Sequence, residues 1–262
     1  MNPIENLSLR SISVWKRNRD VFFRTWKTNF VPSFLEPVLY LLAMGMGFGV
    51  LISEDLRLHD IFVSYIEFLA PGLVAISIMY GAFFECTYGS FVRMHYQKTF
   101  DAMIATPLSI EDVIVGEILW GATKSFLNAT IVLIVISLFG LTNLPGLIFV
   151  PFIAFLGGLM FASIAMLFTS ITPNMDSFNW PFFLLITPMF LFSGTFFPMY
   201  VLPEWGQLIA LALPLTHCSV LVRDLCFNYF DLADVGALIY IAMLTVVAFF
   251  ASIHLMKKRL IN

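Results

Sequence analysis

The sequence has few charged residues. Only 12% of its 262 residues are Asp, Glu, Lys or Arg, whereas soluble domains carry about a quarter, and 60% are hydrophobic. A chain with so little polar surface does not stay in solution as a globule, so the composition predicts a protein of the lipid bilayer. The net charge of −3 gives no indication of a nucleic-acid partner.

Cysteine is also rare. Cys86, Cys218 and Cys226 are too few for a disulfide framework. Cys218 and Cys226 could pair if they face an oxidising compartment, and two free thiols are the alternative.

Several motifs of enzymes and metal sites are missing. The four histidines are scattered, no two cysteines have metal-binding spacing, and no G-x-S-x-G sequence occurs. GATKS at 121–125 lacks the first glycine of a nucleotide-binding Walker sequence. His217 and Cys218 are adjacent, and adjacent residues on a helix point apart. The sequence therefore predicts no catalytic residue, no metal site and no cofactor bound by this chain, which is expected not to be an enzyme.

Long apolar stretches are what the chain has instead. A helix needs about 20 apolar residues to cross the bilayer, and six stretches qualify, near residues 31–52, 63–92, 112–139, 146–171, 178–198 and 234–256. The expected fold is an all-α membrane protein with six transmembrane helices over residues 30–262.

The placement of basic residues predicts the orientation. If both termini are cytoplasmic, twelve of the fourteen Lys and Arg residues lie inside, leaving only Arg57 and Arg223 outside. Cytoplasmic segments of membrane proteins carry such an excess. Residues 1–29 contain six basic residues and no apolar core, so they do not read as a secretory signal.

Residues 1–29 predict an amphipathic cytoplasmic helix at the membrane interface. Trp15, Phe22 and Trp26 fall on one helical face, while Arg17 and Arg24 lie largely off it. Such a helix places its aromatic side in the membrane and its basic side toward lipid phosphates. The alternative is an ordinary amphipathic helix packed on another domain.

Two connections are more than turns. A polar segment near 98–107 predicts a short cytoplasmic helix that Pro107 would stop, and Ser109 would then cap the next helix together with Asp112. On the outer side, residues 199–230 contain an apolar run too short to span. This run predicts a re-entrant or interfacial helix pair before the sixth span.

Ionisable and aromatic residues within the spans are candidates for a translocation path. Glu117 and Lys124 lie seven residues apart on one face, where they could line a cytoplasmic vestibule or form a buried structural pair. Phe83, Phe84, Tyr88 and Phe190 could stack against sugar rings or acyl chains, or face lipid.

The order of these elements, together with several motifs, resembles the membrane subunit of type-2 ATP-binding-cassette (ABC-2) exporters. The motifs are FLAPG at 68–72, ATPLS at 105–109, GE at 116–117, SGTFFP at 193–198 and LPLTH at 213–217. The segments EPVLYLLAMGMGFGV, FECTYGSFVRM and GEILWGATKS are most similar to the subgroup that exports nodulation factors, which are lipo-oligosaccharides.

This resemblance implies a homodimeric permease that binds two copies of a separate ATPase, which would carry ATP and Mg²⁺. The ATPase-coupling helix would comprise Lys98, Thr99, Phe100, Asp101, Ala102, Met103, Ile104, Ala105, Thr106 and Pro107. The N-terminal helix would transmit the movement, and an outer gate would comprise Gly194, Phe196, Phe197, Pro198, Thr216 and His217.

The expected function is export of a lipid-linked or amphiphilic saccharide across the bacterial inner membrane. A drug or small-hydrophobe exporter of the same family is the nearest alternative. An intramembrane enzyme acting on lipid-linked sugars and an ion-driven carrier are the others.

Overall fold

The computed structural model describes residues 8–47, 49, 52, 56–59 and 61–261, which are almost entirely helical. The α-helices are α1 Ser11–Arg24, α2 Trp26–Met46, α3 Tyr65–Phe84, α4 Thr99–Ile104, α5 Ile110–Leu138, α6 Leu144–Ile171, α7 Asn179–Pro181, α8 Thr187–Phe192, α9 Glu204–Ala212, α10 Pro214–Cys226 and α11 Leu232–Ile261. Wider π turns occur at Glu85–Gly89, Val92–Tyr96 and Phe182–Ile186, and 3₁₀ turns at Met175–Phe178 and Met199–Val201.

Four helical stretches of the described chain are long and apolar enough to cross a membrane. They are Tyr65–Tyr96, Ile110–Leu138, Gly146–Ile171 and Leu232–Ile261, and they correspond to the second, third, fourth and sixth predicted spans. Helices α9 and α10 would make a fifth if the bent pair counts as one span. The chain is thus a helical membrane protein with four to five candidate spans.

The first and fifth predicted spans differ from the sequence expectation. Helix α2 begins at Trp26, earlier than predicted, and Phe34–Ala43 is its apolar part; the predicted end of this span lies partly outside the described residues. The fifth is a helical run over 179–192, about 21 Å long at 1.5 Å per residue and shorter than the bilayer core. Pro188 lacks the N–H that would bond to Leu184, so the α-helical pattern is interrupted there.

Local capping explains where two spans begin. Ser109 and Asp112 form the capping box predicted from the sequence, with the Asp112 N–H 3.0 Å from the Ser109 hydroxyl. Ser64 and Glu67 form a second one at the start of α3. Just before it lies an antiparallel hairpin, Leu56–Leu58 paired with Ile61–Val63, which the sequence analysis did not predict.

Helix α6 is central: it packs against α3, α5, α10 and α11. The two ends of the bundle differ in charge. At one end Lys257 pairs with Glu111, and Arg259 donates to the carbonyls of Thr169 and Thr172. Arg10 binds the Pro107 carbonyl at the same end. We call it the basic end, and the opposite end holds the hairpin.

Candidate functional site

Helix α1 packs along the first turns of α5 at the basic end. Gly116 of α5 permits the close approach, because an added Cβ there would lie 2.5 Å from the Val14 Cβ and 2.7 Å from the Ser11 carbonyl oxygen. The backbone N–H of Ser8 donates to the Asp112 carboxylate at 2.7 Å. Helix α1 is therefore fixed to the bundle by its own contacts with α5.

The aromatic face of α1 contacts protein. The Trp15 indole N–H donates to the Thr123 hydroxyl at 2.9 Å, and the Phe22 ring meets the Trp120 ring edge-on at 5.5 Å. Trp15 and Phe22, which were expected to face the membrane, therefore pack on α5 of the same bundle. Trp26 is not on α1 at all, because a break at Thr25 makes it the first residue of α2.

Three basic residues of α1 line a groove, while Arg19 stacks over the Trp15 ring at 5.4 Å. Lys16, Arg17 and Arg24 line a shallow groove of about 440 Å³. Arg17 donates to the Asn18 side-chain oxygen at 2.9 Å. Burial lowers the pKa of the Arg17 guanidinium, and the nearby Glu117 acts in the opposite direction.

Glu117 of α5 is the acceptor at the centre of a buried polar cluster. Its side chain is fully buried and receives hydrogen bonds from Asn18 of α1 at 2.7 Å and from the Ser90 hydroxyl at 2.7 Å. Arg93 adds two more, from Nε at 2.9 Å and from a terminal nitrogen at 2.6 Å. This one carboxylate thus ties α1, α5 and the end of the second predicted span together.

A second buried carboxylate, Glu85, extends the cluster. It contacts Arg93 at 2.7 Å and the Lys124 ammonium at 2.7 Å, and accepts a bond from the Trp120 indole at 3.0 Å. We call Glu85, Arg93, Glu117 and Lys124 the charge network. Two carboxylates balance two cations, so the network adds no net charge to the interior, which is what makes its burial tolerable.

The sequence analysis grouped Glu117 and Lys124, and the structure brings both into one network but pairs them through Glu85 and Arg93. Arg93, Ser90 and Asn18 were missed as site residues. Arg93 had been counted only as a basic residue of a cytoplasmic loop. The signal that could have found it is its position near the end of a span whose own carboxylate, Glu85, needs a counter-charge.

A cavity of about 530 Å³ lies beside the charge network, between α2, α3, α5 and the helical run 179–192. Its wall combines aromatic and polar residues, and the polar ones are Glu36, Ser77, Lys124 and Asn128. Among the aromatic ones, Tyr80 stacks on Phe190 with the ring centroids 6.0 Å apart and the planes 19° from parallel. Lys124 therefore belongs to both the charge network and the cavity.

The predicted path residues divide into two groups. Phe84, Phe190 and Lys124 line the cavity. Phe83, Tyr88 and Glu117 are not among its lining residues: Phe83 and Glu117 are fully buried in the bundle, and Tyr88 packs on Phe178 at 5.2 Å.

Helix α4 forms the predicted short helix at the basic end, although it spans only Thr99–Ile104 of the predicted 98–107. Lys98 precedes it with φ of 53°, a left-handed conformation that turns the chain out of the long span. Phe100 is fully buried and anchors the helix. The exposed members of the predicted set are Lys98, Asp101, Ala102, Ala105, Thr106 and Pro107, while Thr99, Met103 and Ile104 are half-buried.

At the opposite end, α9 and α10 meet at an angle of 89°. Side chains donate hydrogen bonds to the last carbonyls of α9 there, where the chain leaves the helical pattern. The Thr216 hydroxyl donates to the Ala210 carbonyl, and a ring N–H of His217 donates to the Leu211 carbonyl at 2.9 Å. The Tyr240 hydroxyl donates a hydrogen bond to the Ala212 carbonyl at 2.8 Å. Thr216 and His217 thus hold the bend.

The SGTFFP segment is fastened to α10 through a buried arginine. Gly194 has φ of +66°, and its carbonyl accepts a bond from Arg223 at 2.8 Å. The Arg223 guanidinium also lies 3.9 Å over the Phe68 ring. The sequence analysis had counted Arg223 only as an outer cation. Phe196, Phe197 and Pro198 line a separate apolar pocket of about 410 Å³ beside the hairpin.

The three cysteines are free and buried. Cys218 and Cys226 are eight residues apart on α10, which separates their Cα atoms by about 12 Å, beyond the reach of a disulfide. Of the two alternatives left by the sequence, the structure has the free thiols. In the part of the chain that the structure describes, no three His, Cys, Asp or Glu residues form a group that could hold a metal ion.

Comparison with known proteins adds a family and relatives. The model of the ABC-2 type transporter family matches residues 11–227. Nodulation protein J of Rhizobium leguminosarum bv. trifolii is 38% identical over 97% of this chain and 95% of its own length. Nodulation protein J of Sinorhizobium fredii is 34% identical over 96% of this chain and 94% of its own length.

A more distant relative is the inner membrane transport permease YadH of Escherichia coli. It is 21% identical over 91% of this chain and 90% of its own length. These relatives therefore match the chain over more than nine tenths of its length.

Proposed function

Because this chain belongs to the ABC-2 type transporter family as a membrane permease, we propose that it is one half of an exporter for an amphiphilic saccharide, of the lipo-oligosaccharide or polysaccharide type. It would lie in the bacterial inner membrane as a multi-pass protein. Two copies would form the pathway, and two copies of a separate ATPase would bind ATP and Mg²⁺ and supply the energy.

The exposed side of α4 supports contact with an ATPase. Buried Phe100 holds the helix on the bundle, so the surface of Asp101, Ala102 and Ala105 remains open to a partner. The Arg10 contact with the Pro107 carbonyl joins this region to the segment that leads into α1. A push on α4 would therefore reach both α1 and the long span that ends at Tyr96.

The composition of the cavity supports a saccharide as cargo. Aromatic rings stack against the faces of sugar rings, and hydroxyl-rich groups need hydrogen-bonding partners such as Ser77, Asn128 and Tyr80. Lys124 is already neutralised by Glu85 at 2.7 Å, and Glu36 lines the same cavity, so the wall does not select for an anion. The similarity to nodulation protein J points to the same cargo class.

The surface position of the cavity supports a pathway between two copies. Glu36 and Phe84 of its wall are exposed in the single chain, so a second copy would close it. In this arrangement α2 and the run 179–192 complete six spans and the bent pair α9–α10 is re-entrant on the outer side. The basic end, which holds Ser8 and Arg259 near the two ends of the described chain, would be cytoplasmic by the positive-inside rule.

The rival functions make different demands on the same residues. An exporter of small hydrophobic compounds would not need the four polar side chains of this cavity. Polar groups inside a membrane cost free energy unless they have hydrogen-bonding partners, which an apolar cargo does not supply. An enzyme acting on lipid-linked sugars would need a polar catalytic group, and the ring nitrogen of His217 is committed to the Leu211 carbonyl. An ion-driven carrier would need a titrating carboxylate; Glu85 and Glu117 are both paired, so such a carrier would have to use Glu36 of the cavity wall.

Comparing lipids and glycans in cells with and without the gene would identify the cargo. Loss of a surface saccharide or lipo-oligosaccharide is the expected result. A change confined to small hydrophobic compounds would favour the drug-exporter alternative. Membrane vesicles whose export follows a proton gradient and ignores ATP would refute the ATPase partnership.

A charge reversal on α4 tests that partnership directly. Asp101→Arg should reduce co-purification of the ATPase by about tenfold, corresponding to about 1.4 kcal/mol of binding energy, without reducing the yield of folded permease. Asp176→Arg is the matched control, because Asp176 is an exposed carboxylate outside α4 in the connection after α6. Equal retention of the ATPase by both variants would contradict the assignment of α4.

A further inference from the structure

One buried carboxylate, Glu85, connects the cavity to the segment before α4, because it contacts Lys124 of the cavity wall and Arg93, five residues before Lys98. We propose that Glu85 is a positioning residue that couples the polarity of the cavity wall to the position of α4. Movement of α4 would draw Glu85 with Arg93 and alter its contact with Lys124, changing how the cavity holds its cargo. The inference rests on the proposed ATP-driven export.

Among the four residues of the charge network, only Glu85 contacts both Lys124, which lines the cavity, and Arg93, which lies near α4. On the cavity side, it holds the Lys124 ammonium at 2.7 Å, and the Lys124 side chain is 23% exposed. On the ATPase side, it holds Arg93 at 2.7 Å. Arg93 lies only five residues before Lys98, where the chain turns into α4. Because one carboxylate makes both charge-assisted contacts, a change in the geometry of one contact alters the other.

Glu117 provides the fixed side of the network. It binds Arg93 twice and is itself held by Asn18 and Ser90. Arg93 therefore has one fully buried partner and one partner, Glu85, that it shares with the cavity. Because Lys124 is the most exposed member of the network, the Glu85–Lys124 contact is the one that cargo hydroxyls can replace.

The helical hydrogen-bonding pattern between Glu85 and α4 is irregular, which permits a change in helical register. It contains two π turns, Glu85–Gly89 and Val92–Tyr96, and π turns within helices are frequent at functional sites. Conversion of a π turn to an α turn removes one residue from the turn, which would rotate and shift Arg93 relative to Glu85. Space is tight here: a Cβ on Gly89 would lie 3.1 Å from Glu85 Oε1.

The experiment measures export and ATP hydrolysis together in membrane vesicles that contain the permease and its ATPase. Glu85→Gln keeps the shape of the side chain and removes its charge. We expect ATPase association and hydrolysis to persist, while the amount exported per ATP falls about tenfold. Glu67→Gln is the control, because Glu67 lies on the same long span and its carboxylate only caps the start of α3.

A second variant separates coupling from folding. Glu85→Gln combined with Lys124→Gln removes an ion pair and leaves Arg93 balanced by Glu117, so no buried charge is orphaned. This double variant should fold and show the same low export per ATP. Wild-type export per ATP in the double variant, or an equal loss of export and hydrolysis, would overturn the inference.

The proposed function has its own readout in the same assay. Wild-type vesicles that show no ATP-dependent export would overturn the proposed function before any variant is compared. Wild-type vesicles that export, together with a Glu85→Gln variant whose export per ATP matches that of Glu67→Gln, would overturn the coupling inference alone.

Discussion

Removing the charge of Glu117 should strongly destabilise the folded chain. Its side chain is fully buried and accepts four hydrogen bonds, from Asn18, Ser90 and twice from Arg93. In Glu117→Gln, one oxygen becomes an NH₂ group that faces donors at 2.6–2.9 Å, where no acceptor replaces it. Arg93 then keeps only Glu85 as a charged partner.

Breaking a buried ion pair from one side costs about 3–5 kcal/mol, because a charge is left in the interior without compensation. For a chain of this size, each kcal/mol lowers the unfolding midpoint by about 2–4 °C. The midpoint of Glu117→Gln should therefore fall by roughly 6–20 °C in detergent, followed by intrinsic tryptophan fluorescence during heating.

Two comparisons make this expectation refutable. Glu67→Gln removes a carboxylate that only caps α3, so its midpoint should fall much less, in line with about 1 kcal/mol for a helix cap. Replacing Arg93 and Glu117 together, by Met and Leu, should cost less than the sum of the single changes. Equal midpoints for Glu117→Gln and Glu67→Gln would show that the charge network contributes little to stability.

Three further predictions concern packing, the bent pair and the thiols. Gly116→Ala should lower the unfolding midpoint by an amount equivalent to about 1–3 kcal/mol of overpacking. Gly236→Ala, whose new Cβ meets nothing within 4 Å, should keep the wild-type midpoint or raise it slightly in the same scan, because alanine is the better helix former. Thr216→Val removes the hydroxyl donor of the Ala210 carbonyl, which keeps its bond from the Leu213 N–H, and should cost about 0.5–1.5 kcal/mol by the same measurement; a wild-type midpoint would contradict this role. Cys218 and Cys226 should resist maleimide labelling in the folded permease and react after denaturation in SDS, and rapid labelling without SDS would contradict their burial.

Features that depend on a few neighbouring residues were predictable from the sequence. Ser109 and Asp112 are three residues apart, and their capping box forms as expected. The long apolar stretches of the second, third, fourth and sixth spans appear as helices close to the predicted bounds. The short helix before Pro107 is also present, although its role in contacting an ATPase stays a proposal.

Pairings across the bundle were not predictable in the same way. Glu85 meets Lys124 over 39 residues and Arg93 meets Glu117 over 24, so each partner is selected by how two helices dock. Hydropathy also does not distinguish a helix face that meets lipid from one that meets the protein interior, because both surroundings are apolar. For that reason the aromatic face of α1 suited either environment, and only the contacts of Trp15 and Phe22 with α5 resolved it.

The broken run over 179–192 shows a third limit. Its residues are apolar enough to predict an ordinary span. Composition does not show where the backbone hydrogen-bonding pattern of a helix is interrupted. Pro188 and the π turn Phe182–Ile186 shorten the helix, and Gly194 at φ +66° then turns the chain toward α9. Thr216 and His217, which are predicted to belong to an outer gate, donate hydrogen bonds to carbonyls at the bend, and this too is invisible in the composition.

The charge network also bears on how the chain enters the membrane during synthesis. Glu85 and Arg93 are made on one span, and Glu117 and Lys124 on the next. Each span alone would carry charged side chains into lipid, at about 2.5–3.5 kcal/mol apiece near the bilayer centre. Glu85 and Arg93 can pair within their own span, but Glu117 and Lys124 meet their ion-pair partners only when the two spans are side by side, with α1 available to supply Asn18. We therefore expect the two spans to leave the insertion machinery together, as a helical hairpin. The same four residues would then determine when the spans enter the membrane.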